Sequence, residues 1–150
     1  MTAEQARVAE RQAGLDEWRQ DSLTALLRWA ETIGVDPEQM LLDPTIGIAP
    51  AERMLDNEDV GGLPVEDRDW VTSHLLAHVA FILMHNRGGG WAVDDDPDSP
   101  TYTRYVIDAD GTYYDPVRAV AGYLKSSPGG RDLAAHIADA EAHPTGPASA

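Results

Sequence analysis

The segment VEDRDWVTSHLLAHVAFILMHN (Val65–Asn86), followed by RGGG (Arg87–Gly90) and then Trp91-Ala92-Val93, decides the fold. Glu66, Asp67 and Asp69 stand in the first turns, where the positive end of a helix dipole favours them. From Leu75 to Met84 the chain is apolar except at His78, so the helix it predicts is apolar nearly all round and belongs in the middle of a domain. The glycines stop that helix, and the pattern after them changes from a helical to an alternating period.

Downstream, Trp91-Ala92-Val93 and Thr101–Ile107 read as strands, being β-branched and aromatic. Asp108-Ala109-Asp110-Gly111 reads as a hairpin turn, and Thr112-Tyr113-Tyr114 completes a three-strand meander. Asp115-Pro116 carries an N-cap followed by proline and opens a helix to about Leu124; Ser127-Pro128 opens another, to about Ala142. The proline- and glycine-bearing tail, 143–150, is expected to be disordered.

Upstream, Leu15, Trp18, Ser22, Leu26, Trp29 and Ile33 draw one stripe along a helix that Gly34 ends. Residues 1–14 are helix-prone but poor in core groups and are expected to fray. Asp36-Pro37 starts a short helix that Asp43-Pro44 closes, and Ala51–Asp56 suits one more. The order helices, strands, helices predicts a single α+β domain over 1–142: N-terminal helices and a buried central helix packed with a small antiparallel meander and two C-terminal helices.

Composition excludes several function classes. A chain of 150 residues without cysteine holds no disulfide scaffold, catalytic thiol or cysteine-ligated metal. Its 26 acidic residues against 11 basic ones give a net charge of −15, and no stretch supplies the basic patch that nucleic acid or an anionic membrane requires. The longest near-continuous apolar run, Leu75–Met84, is ten residues interrupted by His78, whereas a membrane-spanning helix takes about 20. No secretory leader is apparent, and a cytoplasmic protein is expected. Lys125 is the only lysine beside ten arginines, a bias that a GC-rich genome also writes, so part of the acidity reflects codon usage.

Two constellations offer chemistry. At about 100° per residue, His74, His78 and His85 fall within about 40° of one another on the central helix. His74 and His78, one turn apart, have the spacing of paired zinc ligands, but Leu75 stands where a metalloprotease has glutamate, and His85 lies about 16 Å along the axis from His74. The competing reading is a polar seam, each imidazole hydrogen-bonded to a neighbouring element. The second constellation is Asp94, Asp95, Asp96 and Asp98. It opens like a calcium loop, but Ser99 and Tyr105 occupy the places that need Gly and Glu. Segments 52–69 and 94–115 carry −11 of the −15; brought to one side of the molecule they would attract a basic protein.

No motif asks for a cofactor. The leading expectation is a small acidic binding protein without catalytic activity, of the inhibitor or immunity type, meeting a basic protein through Asp94, Asp95, Asp96, Asp98 and Arg104. The alternative is a small enzyme or metal-binding protein built on His74, His78 and His85.

Overall fold

A computed structural model describes residues 1–146, which form seven α-helices and one three-stranded antiparallel sheet, an α+β fold. Helix α1 (Ala3–Ala13) is held at its start by a capping box: the Thr2 hydroxyl accepts from the Gln5 N–H, and the Gln5 side chain accepts from the Thr2 N–H. Residues 3–13 are therefore helical although only Val8 is buried. Gly14 joins α1 to α2 (Leu15–Ile33), whose stripe buries Ser22, Leu26, Trp29 and Ala30. Asp36 caps α3 (Pro37–Leu42), and a 3-10 turn at Pro44–Gly47 leads into α4 (Ile48–Leu55).

Helix α5 (Val65–Arg87) occupies the centre, as its apolar girth requires, with α2, α6, α7 and β2 packed around it. Leu75, Val79, Ala80, Ile82 and Leu83 are wholly buried in one core with Leu26, Trp29, Met40, Ile107, Tyr123 and Leu133. Gly88, in the left-handed conformation at φ 68°, ends it. Strand β1 (Gly90–Val93) pairs with β2 (Tyr105–Ala109), which pairs with β3 (Thr112–Tyr114). Asp110 and Gly111 at φ 53° and 85° form the two-residue turn whose twist suits a hairpin. Helices α6 (Pro116–Lys125) and α7 (Leu133–Ala142) form a hairpin against α5.

Four boundaries differ from the sequence expectation, the first being the start of α4 at Ile48 and not Ala51. Thr101–Arg104 are not strand but a turn, with Thr103 at φ 76°: the Thr101 hydroxyl donates to the Asp94 carboxylate, the Thr103 N–H donates to the Asp94 carbonyl, and the Arg104 carbonyl accepts from the Asp94 N–H. The last helix starts at Leu133, capped by Asp132, and not at Ser127. Gly129 and Gly130, at φ 80° and 85°, put their N–H groups on the carbonyl and carboxylate of Asp56, a geometry no helix permits. In the expected tail, Thr145 and Gly146 exchange backbone hydrogen bonds with Tyr113 at 2.8 Å each, so this part adds a bridge to β3; residues 147–150 lie outside the described residues.

Candidate functional site

The histidine stripe divides into three environments. His78 is fully buried, with Nδ1 accepting from the Trp29 indole N–H at 3.1 Å and Nε2–H donating to the Pro44 carbonyl at 2.8 Å. That pairing fixes one neutral tautomer and uses both ring nitrogens, leaving no lone pair for a metal. Burial pushes its pKa down to about 4, against which the Pro44 bond pulls weakly upward. Gly47 makes the approach possible, since a Cβ there would stand 2.8 Å from the His78 ring. His85 is half exposed, 3.5 Å from the Asp43 carboxylate.

His74 stacks on Trp70 at 3.9 Å and donates from Nδ1 to the Trp70 carbonyl at 2.7 Å. Burial lowers its pKa, as does, more weakly, the charge on Arg28. Its Nε2 is buried without a hydrogen-bond partner among the described residues. With His78 saturated, the pair at one-turn spacing does not present two converging lone pairs, and the described residues contain no group of three or more His, Asp or Glu placed to hold a metal. His136 packs edge-on to Tyr123 and 3.2 Å from the Ser126 hydroxyl.

The acidic loop separates residues that the sequence presents as equals. Asp94 is completely buried: its Oδ2 accepts from the hydroxyls of Ser99 (2.5 Å) and Thr101 (2.6 Å), and its Oδ1 from the Asp96 N–H (3.0 Å). It is therefore the knot of the loop and cannot touch a partner, which corrects its place among the partner-binding acids. Ser99 and Thr101 also bond Thr145, tying loop to tail. Asp95 and Asp98 are exposed, and Asp96 is half-buried with Oδ1 on the Asp98 N–H. Arg104 pairs with Asp115 at 2.9 Å; the cation lying over the Tyr105 ring is Arg11, at 5.9 Å.

The two acidic segments reach different ends of the α6–α7 hairpin. Asp56 binds the loop at one end of the α6–α7 hairpin, whereas Asp115 and the Tyr113–Gly146 bridge sit at the other, one ten-residue helix or about 15 Å away. Around Tyr113 the acids do gather. Burial raises its pKa first, and the charges of Asp95, Asp108, Asp94 and Asp96 raise it further.

A third feature escapes sequence reading. Trp18 of α2 stacks on Tyr105 of β2 (4.4 Å, 13°) and meets Trp91 of β1 edge-on (5.3 Å, 85°). Two cavities of about 370 and 230 Å³ share Trp18, Trp91 and Leu76 as their common wall. The larger reaches Asp21, Ser22, Arg28 and His74, and the smaller Arg11, Arg104 and Val117. The indole nitrogens of both Trp18 and Trp91 are buried without a partner among the described residues.

Searches against family models, curated proteins and solved structures found no match. Function therefore has to be argued from this geometry.

Proposed function

We propose that this protein is a non-catalytic binding protein that docks a basic protein through the acidic loop and the sheet edge around Tyr113, in the manner of an inhibitor or immunity protein in the cytoplasm. The observation carrying the reading is the buried Asp94 knot: the Asp96 N–H and the Ser99 and Thr101 hydroxyls of the loop converge on its carboxylate, and Thr145 of the tail bonds both hydroxyls. A loop fixed this way presents Asp95, Asp96 and Asp98 already ordered, so a cationic partner meets little of the entropy cost of arranging them. Tyr113, partly exposed amid those charges, supplies the aromatic anchor that interface centres favour, with a charged rim around it. The described helices include none long and apolar enough to cross a membrane.

The test compares two variants of equal charge change: Asp95→Asn, Asp96→Asn, Asp98→Asn, and Glu4→Gln, Glu10→Gln, Glu17→Gln. A partner captured from host cells by the native chain is expected to be basic, to associate with the native chain more slowly as salt rises, and to associate with the loop variant more slowly than with the native chain while dissociating at an unchanged rate. An acidic partner, or equal behaviour of the two variants, refutes the reading.

A further inference from the structure

We propose that the outer edge of β3 is a strand-addition site for an extended, cationic segment of the docking partner that carries Ser or Thr, and that residues 144–146 are an occupant the chain supplies to its own site. The inference rests on the docking reading above; its test uses synthetic peptides and no captured partner, so the two fail separately.

The sheet has two edges. At the β1 edge, α1 and α2 pack against the strand and Arg19 of α2 takes the Trp91 carbonyl at 3.2 Å. The β3 edge is covered instead by the segment that follows α7. There the Tyr113 N–H donates to the Gly146 carbonyl and the Thr145 N–H to the Tyr113 carbonyl, the exchange that a strand from another chain would make.

Hydrogen bonding without apolar burial holds that segment. His143 and Pro144 are exposed, Thr145 is half-buried, and Gly146, which is buried, has no side chain to contribute. Among the described residues, Ala140 of α7 is the last that joins the core. Hydrogen bonds exchanged with water contribute little each, so an incoming strand with the same donors and acceptors competes on equal terms. Release of the segment leaves the loop tied, because the Asp94 carboxylate takes its bonds from Asp96, Ser99 and Thr101.

Two features of the edge set the chemistry of the incoming segment. The Thr101 hydroxyl has one proton and gives it to Asp94 at 2.6 Å, the charge-assisted bond, so its oxygen is left as an acceptor 3.0 Å from the Thr145 hydroxyl. The place of Thr145 therefore asks for a donor on a short side chain, which Ser and Thr supply. Carboxylates gather beside the same edge: Asp108 stands opposite Tyr113 in the β2–β3 register, and Asp95 and Asp98 are exposed on the loop. Residues 143–150 contribute none of the 26 acids and only His143 as a basic side chain. A segment with Lys or Arg beside its hydroxyl residue gains from those carboxylates what the tail does not.

The experiment titrates the ¹⁵N-labelled full chain with the unlabelled peptides Lys-Pro-Thr-Gly-Lys, Lys-Pro-Val-Gly-Lys and Glu-Pro-Thr-Gly-Glu, and repeats the titration on the Thr145→Val chain. The first and third peptides set the tail's own Pro144–Gly146 sequence between charged ends. Strand addition is expected to move the amides of residues 145 and 146 toward unstructured positions while the Tyr113 amide stays protected from exchange. The Trp29 indole N–H, held by His78, reports an unchanged fold. Valine for threonine acts in opposite directions on the two competitors. In the peptide it should weaken binding about tenfold, the worth of one hydrogen bond; in the chain it should tighten Lys-Pro-Thr-Gly-Lys by up to about tenfold, because the internal occupant is weakened. The glutamate peptide should bind more weakly than the lysine one, with the gap closing as salt rises. Gly146 amides that stay in place throughout both titrations, a Thr145→Val chain that binds no more tightly, equal binding of the Thr and Val peptides, or a glutamate peptide as tight as its lysine counterpart overturns the assignment.

Discussion

Protonating His78 should cost this fold much of its stability, and the amount follows from its two hydrogen bonds. In the folded chain Nδ1 faces the Trp29 N–H, so adding a proton there sets two donors against each other in a fully buried site. The folded pKa is about 4, against about 6.5 for a free imidazole. Between those values the unfolded chain binds a proton that the folded chain refuses, so stability rises with pH. The contribution is complete above about pH 6.5 and is lost as pH falls toward 4. At 1.36 kcal/mol per unit, the shift is worth about 3 kcal/mol, a large share of the 5–15 kcal/mol that holds a typical domain together. Carboxylates titrate in the same window, so a variant must isolate the histidine. His78→Gln can still accept from Trp29 and donate to Pro44 but has no proton to gain. Denaturant unfolding of both proteins at pH 7.5, 6, 5 and 4.5 should show the native chain losing about 2–3 kcal/mol more than the variant across that range, short of the full contribution because the last point lies above the folded pKa. Parallel curves would mean that His78 does not sit neutral between Trp29 and Pro44, and the account of the stripe would fail.

Two further outcomes test the core and the loop. Leu83→Ala, at a wholly buried position of α5, should destabilise by about 2–5 kcal/mol, while Asp95→Ala should stay within about 0.5 kcal/mol; equal denaturation midpoints would remove α5 from the core. Asp94→Ala strips the acceptor from the Ser99 and Thr101 hydroxyls and should cost about 1–3 kcal/mol and expose 94–104 to protease, whereas unchanged melting and cleavage would show the knot to be dispensable.

The elements legible in the sequence are those whose causes are local. Asp36 and Asp115 precede prolines and cap helices as read, Asp110-Gly111 turns the hairpin, and α5 runs from Val65 to within one residue of its expected end. Where the reading failed, a distant partner overrode a local signal. Ser127-Pro128 looks like a helix start, but the two glycines after Pro128 are claimed by Asp56, over seventy positions away in the chain. Thr101–Ile107 has strand composition throughout, yet its first four residues turn about Asp94, with the Thr101 hydroxyl on its carboxylate and Thr103 and Arg104 on its backbone. Residues 143–146 look like a free tail until Tyr113 offers its backbone edge.

The site was harder to read than the fold for the same reason. His78 could be suspected of a structural role, but its partners Trp29 and Pro44 lie 49 and 34 positions away, and only they reveal that no lone pair remains. Trp18 and Trp91 sit on different elements with α3, α4 and the whole of α5 between them in the chain; each alone reads as ordinary packing, and the corner they form with Tyr105 exists only once β1 returns beside α2. Asp94 and Asp95 make the point most sharply. They are adjacent, chemically identical and equally suited to a solvated turn, yet one is sealed under Ser99 and Thr101 and the other faces solvent. Residue type sets what a carboxylate can do, accept hydrogen bonds or attract a cation; which of the two it does depends on whether donors from elsewhere in the chain reach it first. The exposed acids keep their charge available because the buried one has taken up the loop's hydroxyls, so the proposed docking face and the knot beneath it stand or fall together under the Asp94→Ala substitution.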